Sequence, residues 1–139
     1  MENKLAQLFT FPTADTKNGI LAMFQVPEQS GKQHVPFDIV RVLVMKDIKV
    51  GDVRGGHTHH TTKQMLFVLQ GSCIVDLDNG KEKACVVLDT FHTGLYLPPY
   101  VWHVMRDFTP GSILLVLADS EYDEKEYIRD YQEFLTFVS

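Results

Sequence analysis

At 139 residues, 45% hydrophobic and 22% charged, the chain has the size and composition of a single folded domain with its own core. A net charge of −5, from 13 basic and 18 acidic residues with no basic block, argues against nucleic acid as a partner. No apolar run approaches the roughly 20 residues of a membrane span, and the opening Met1-Glu2-Asn3-Lys4 lacks a signal-peptide layout, so no membrane contact and a cytoplasmic location are expected.

Residues 1–30 read as edge strands: Leu5, Leu8, Phe9 and Phe11 are apolar, 16–19 make a turn, and 20–24 form a strand. A loop is predicted over 27–36, which contains Ser30-Gly31-Lys32 and has Pro at either end. The β-branched run 37–45 is predicted as one continuous strand. Arg41 stands in its midst, and a charge within a buried strand either finds a partner or reaches the rim of the sheet, which makes it a candidate ligand contact.

After a turn at 49–52 comes Arg54-Gly55-Gly56-His57-Thr58-His59-His60. In an extended segment alternate side chains share a face, so His57 and His59 point one way and His60 the other. Two imidazoles converging on one cavity can bind a metal, move protons or sit inertly in a polar core. The paired glycines imply a close backbone approach to a ligand or a neighbouring strand, and they single out Arg54 as a binding candidate.

Strands follow at 64–72, 73–77 and 84–88, the last two flanking Asn79-Gly80, a strong hairpin signal. A two-residue turn there sets Cys85 opposite Ile74, which leaves Cys73 and Cys85 on opposite faces and excludes a disulfide between them. Residues 93–97 are extended and run into the rigid Pro98-Pro99; 101–105 form another strand, and 112–118 are an apolar run expected to be buried on both faces. So many short strands separated by turn residues predict an antiparallel sandwich or barrel. Asp123 with Glu126 resembles a capping box, and Tyr127, Tyr131, Phe134 and Leu135 recur at helical spacing, so a C-terminal helix is predicted over 123–137, packed on the barrel or on a second subunit.

His57-x-His59, followed after four intervening residues by Gln64 and after six more by Gly71, resembles the first motif of the cupin superfamily, a jelly-roll barrel; Pro98-Pro99-Tyr100-Val101-Trp102-His103 is similar to the second motif without its usual glycine. Gln64 occupies the position where a metal-binding cupin carries a carboxylate, and an amide is a poor ligand for hard divalent ions. His57, His59 and His103 could otherwise supply three imidazoles to a metal.

Within that superfamily the chain resembles the sugar nucleotide 3,4-ketoisomerases, the WxcM-like proteins. The resemblance rests on Arg54-Gly55-x-His57-x-His59, Leu69-Gln70-Gly71-Ser72-Cys73, Gly94-Leu95-Tyr96, Pro99-x-Val101-Trp102-His103, Tyr122-Asp123-Glu124 and Tyr127-Ile128-Arg129. It implies a single cupin domain over 1–139, a homodimer with the N-terminal strands at its interface, no cofactor, and a place in deoxysugar and polysaccharide biosynthesis. The implied reaction converts dTDP-4-keto-6-deoxyglucose to its 3-keto isomer. Relatives tend to carry a sugar-facing tyrosine just after Arg41-Val42, whereas Leu43 and Val44 stand here.

Moving a carbonyl from C4 to C3 needs only proton transfer through an enediol, and imidazole, with an unperturbed pKa of about 6.5, suits that work. His57 is expected as the carbon base and His59 as its partner. Arg41, Arg54, Arg106 and Lys63 are candidates for the pyrophosphate; Tyr96, Tyr100 and Trp102 for stacking on the base or sugar; Gln64 and His103 for further contacts to the substrate. A 3,5-epimerase acting on the same sugar, a metal-dependent cupin oxygenase and a non-catalytic sugar-binding cupin are the alternatives.

Overall fold

The protein is represented by a computed structural model that describes residues 5–26 and 33–139; positions 27–32 of the loop expected over 27–36 lie outside the described residues. Twelve strands and one α-helix follow in chain order. They are β1 (Gln7–Thr10), β2 (Thr13–Thr16), β3 (Gly19–Ala22), β4 (Arg41–Met45), β5 (Arg54–His59), β6 (Gln64–Gln70), β7 (Cys73–Asp78), β8 (Lys83–Leu88), β9 (Thr93–Leu97), β10 (Trp102–Arg106), β11 (Ile113–Ala118), β12 (Tyr127–Ile128) and α1 (Tyr131–Val138). Two five-stranded antiparallel sheets, ordered β1-β9-β6-β11-β4 and β12-β5-β10-β7-β8, face each other as a jelly roll, with β2 and β3 as a separate hairpin.

Alternation along β6 explains why its sequence is apolar almost throughout. Leu66 and Val68 point between the sheets, where they meet Val75, Leu77, Leu88, Leu95, Leu97 and Leu114. Met65 and Phe67 point the other way, into a second cluster with Phe11, Val35, Phe37 and Leu117. The N-terminal segment thus covers the outer face of the first sheet, with the Phe24 ring 4.5 Å from that of Phe67. Phe67 is fully buried, a burial that contributes on the order of 2–3 kcal/mol. The expected burial of the 112–118 run on both faces has the same cause, because β11 is a central strand whose Leu114 and Leu117 enter opposite clusters.

Three local expectations are corrected. The strand predicted over 37–45 is ordered as strand only from Arg41, because Phe37 turns away to pack in the outer cluster beside Tyr96, their ring centroids 6.4 Å apart. The hairpin after β7 pairs Asp78 with Lys83, so Cys85 lies opposite Asp76 rather than Ile74. A four-residue connection forms there because Asn79 Oδ1 accepts from both Lys81 N–H and Glu82 N–H, at 2.9 and 2.8 Å. Cys73 is buried and Cys85 exposed, both as free thiols.

The third correction concerns the C-terminus. Asp123 caps only a 3-10 turn over Glu124–Glu126, its side chain accepting from Lys125 N–H. Tyr127 and Ile128 then pair with His59 and Thr58 of β5. The α-helix begins at Tyr131, capped by the Asp130 side chain, which accepts from Glu133 N–H. Helical spacing was offered by the tyrosines, but a buried Ile128 and a sheet edge in need of hydrogen bonds outcompete it. The remaining helix packs its aromatic face on the barrel, with Phe134 fully buried and 5.5 Å from the Trp102 ring.

Candidate active site

Two glycines set the geometry of β5. Gly55 and Gly56 both have positive φ, 80° and 73°, and the pairing with β10 slips between His103↔His57 and Val104↔Gly55, so that Gly56 is the extra residue of a bulge. A Cβ on Gly55 would lie 2.7 Å from the His103 carbonyl oxygen. The close approach expected of the glycines is therefore to a neighbouring strand.

Beyond the bulge, His57 and His59 face inward together. Their ring centroids are 5.1 Å apart, and those of His57 and His103 are 4.8 Å apart. His60 points away as expected; its Nδ1 is 3.0 Å from Tyr100 Oη, and its ring packs on Phe137.

Between the sheets beside these residues lies a cavity of about 350 Å³, a size suited to a small ligand. Its polar wall is Arg54, His57, Gln64, His103, Tyr127 and Arg129; Leu43, Leu66, Leu97, Met105 and Val116 supply apolar wall. Among the described residues no carboxylate is on that wall. His59 is not on it either; its ring packs against Tyr127 at 4.6 Å between centroids. Of the pair expected to open on the cavity, His57 lines it and His59 does not, while His103 lines it from β10.

Burial, followed by the repulsion of His103, pushes the His57 and His59 imidazoles down from 6.5 to about 3. His103, fully enclosed, is shifted downward by the same desolvation. All three rings are therefore uncharged near neutrality. His103 Nδ1 lies 3.1 Å from the Val101 carbonyl, which only accepts, so Nδ1 carries the proton and Nε2 is left as an acceptor. His57 Nδ1 and His59 Nε2 are buried without a hydrogen-bond partner in the protein.

The donors do not fit a metal. Among the described residues no three His, Cys, Asp or Glu side chains are arranged to hold an ion, and the position of the missing carboxylate is filled by the buried amide of Gln64.

The other candidates are divided by strand alternation. Arg54 is on the wall, held only loosely by Asp52 at 3.8 Å. Arg41 lies off the wall with its guanidinium 5.7 Å over the Tyr122 ring, and its Nε and Nη1 are buried without a hydrogen-bond partner. Tyr96 is displaced from the site: on β9, Leu95 and Leu97 face the inner core, so Tyr96 packs outward against Phe9 and Phe37. Trp102, one residue before the inward His103, packs outward on Tyr131 and Phe134. Arg106 is on that outer face as well, bound to Asp76 at 2.6 Å and to Asp107 at 2.7 Å. Lys63 is exposed and off the wall, while Leu43 faces the cavity and Val44 faces outward.

Two residues on the wall carried no role in the sequence reading. Tyr127 stands with its ring 5.0 Å from that of His57. Arg129 lies with its guanidinium 4.4 Å over the Tyr127 ring and is bidentate to Glu124 at 2.7 and 3.1 Å. The signal that could have found them was the Tyr127-Ile128-Arg129 motif itself, which helical spacing had assigned to packing.

A jelly roll with imidazoles from its fifth and tenth strands opening on an interior cavity is a cupin. The chain matches the family described as WxcM-like, C-terminal, over residues 2–139. It is 36% identical over 139 residues to the TDP-4-oxo-6-deoxy-alpha-D-glucose-3,4-oxoisomerase of Aneurinibacillus thermoaerophilus, covering 100% of this chain and 94% of that one. Among solved structures it is similar to a His-to-Asn variant of the 3,4-ketoisomerase QdtA from Thermoanaerobacterium thermosaccharolyticum in complex with TDP-4-keto-6-deoxyglucose. That likeness has a TM-score of 0.90 and 33% identity, covering 99% of this chain and 96% of the other. Similarity to WlaRA, a TDP-fucose-3,4-ketoisomerase of Campylobacter jejuni, has a TM-score of 0.85 at 34% identity, covering 96% of each chain. The chain belongs to the WxcM-like family, and these relatives, matched along nearly their whole length, are TDP-sugar 3,4-ketoisomerases.

Proposed function

We propose that this protein is a 3,4-ketoisomerase acting on TDP-4-keto-6-deoxyglucose. The observation that carries the reading is the wall of the cavity, where uncharged His57 and His103 face a space without a carboxylate. His57 takes the C3 proton, which the adjacent ketone acidifies; an enediol forms, and the proton is returned at C4 as the carbonyl appears at C3. No electron leaves the sugar, so no redox cofactor is called for. His59, buried and not on the wall, acts by holding His57 and Tyr127 in place. The alternatives are not favoured by the relatives, and Gln64 speaks against the metal-dependent oxygenase.

The loosely paired Arg54 is suited to the pyrophosphate, and Arg129 lies on the same wall. Arg41, whose buried guanidinium nitrogens lack partners, is suited to a further oxygen of the ligand.

A homodimer is the proposed assembly. The edge strand β4 exposes Val42 and Val44 at 57% and 63%, next to Val40, and the β2–β3 hairpin exposes Ile20 and Leu21. An open strand edge bearing apolar side chains is a surface that proteins cover. Incubating the chelator-treated protein with TDP-4-keto-6-deoxyglucose tests the activity. NMR is expected to show the 3-keto isomer, and an unchanged sugar refutes the reading.

A further inference from the structure

Carbonyl migration needs a second proton carrier, one that gives a proton to O4 as the enediol forms and takes one from O3 as it collapses. His57 is occupied with the carbon proton. His103 donates its Nδ1 proton to Val101, which leaves an acceptor nitrogen facing the cavity. Gln64, Arg54 and Arg129 do not exchange protons near neutrality. Tyr127 is the single hydroxyl on the wall among the described residues.

We propose that Tyr127 is the acid–base that serves the sugar oxygens, an assignment that rests on the isomerase reading above. In the first step His57 takes the proton from C3, the C–H electron pair becomes the C3–C4 double bond, and the carbonyl electrons move to O4, which takes the Tyr127 phenolic proton. The enediol then faces an imidazolium and a phenolate. In the second step the phenolate removes the O3 proton, the O–H electrons form the C3 carbonyl, and C4 receives the proton held by His57. C3 is oxidised, C4 reduced, and both side chains return to their starting states.

Three features fit this role. The Tyr127 ring is 5.0 Å from that of His57, so both groups reach one small ligand from the same wall. The Arg129 guanidinium lies 4.4 Å over the Tyr127 ring, a cation–π contact that holds the ring in place on the wall. The backbone at Tyr127 is pinned by pairing with His59 and by the neighbouring Glu126, whose Oε1 accepts from the amide and hydroxyl of Thr61 and of Thr62 at 2.7 to 2.9 Å.

Tyr127→Phe deletes one oxygen and keeps the ring contacts. Its kcat on TDP-4-keto-6-deoxyglucose is expected to fall on the order of 10²-fold or more, with KM within about threefold of wild type. Replacing Tyr127 by difluorotyrosine keeps the hydroxyl while making it more acidic, and it is expected to move the alkaline limb of kcat to lower pH. That variant decides the matter if the Phe variant does not fold. A folded Tyr127→Phe protein with wild-type kcat, or a raised KM with kcat intact, overturns the assignment, as does an alkaline limb that the fluorinated side chain leaves in place. Wild-type protein that turns over while Tyr127→Phe equals it leaves the isomerase reading standing; wild-type protein that does not isomerise overturns both.

Discussion

The Glu126 clamp joins the C-terminal segment to the histidine strand and sets part of the stability of the site. One carboxylate oxygen accepts four hydrogen bonds from Thr61 and Thr62, directly after the histidine strand, while the Glu126 carbonyl accepts from His60 N–H at 3.0 Å. Burial pushes this carboxyl up, but the bonds from Thr61 and Thr62 outweigh it and hold the group at about 2, against 4.5 for an ordinary glutamate. Each unit is worth about 1.36 kcal/mol, so the charge-dependent stabilisation has a ceiling of roughly 3 kcal/mol. Screening of a partly exposed site reduces that to about 2 kcal/mol.

Glu126→Ala should therefore lower the melting midpoint by about 6–12 °C at pH 7, taking roughly 3–6 °C per kcal/mol for a chain of this length. Glu126→Gln keeps an acceptor oxygen and should lose about half as much. The folded-state pKa is depressed, so the stabilisation is complete above about pH 5 and is lost as pH falls toward 2; more than half is gone by about pH 3. Circular-dichroism melts at pH 7, 4 and 3 measure the gap between wild type and each variant. A gap that stays the same from pH 7 to pH 3, or is missing at pH 7, refutes the reasoning.

Other consequences can be checked alongside. His57→Asn should reduce kcat on the order of 10²-fold or more; an unchanged rate removes His57 from the chemistry. Because His57 and His59 are held near 3 in the folded state, the unfolded chain takes up protons first as pH falls below about 6.5, so wild-type stability should drop from pH 7 toward pH 4. The Asn variants at these two positions should show a shallower drop in their melts over the same range. Gly55→Ala places a methyl group 2.7 Å from the His103 carbonyl at a φ of +80°, which should cost about 1–3 kcal/mol in chemical denaturation and reduce kcat by displacing the His57 strand. The proposed dimer predicts a sedimentation mass of two chains for the wild type and of one chain for a Val42→Lys, Val44→Lys double variant.

How far the sequence carries the reader depends on which forces decide each segment. Period-two alternation and turn residues are local, so β5 to β11 could be placed within a residue or two, and His57 and His60 were assigned to opposite faces correctly. Residues 123–131 obey tertiary contacts instead. Their helical spacing is genuine, yet pairing with His59 and the clamp on Thr61 and Thr62 draw the segment into an extended edge, which is how Tyr127 and Arg129 reach the cavity. Tyr96, Trp102 and Arg106 have the residue types of ligand contacts, but the register of the neighbouring inward residue turns each of them outward. Gln64 and His103 occupy the wall because alternation holds with Leu66 and Met105 beside them, whereas Arg54, three residues before His57, reaches it through the bulge at Gly56.

The central claim is that this protein relocates a sugar carbonyl by moving one carbon proton. It is tested most directly by carbon NMR on TDP-4-keto-6-deoxyglucose labelled at C4, incubated with the protein in deuterated water. The expected result is loss of the ketone signal from the labelled carbon, appearance of a carbon bearing a hydroxyl and one hydrogen at that position, and no deuterium at C5. A label that remains a ketone, or deuterium appearing at C5, contradicts it.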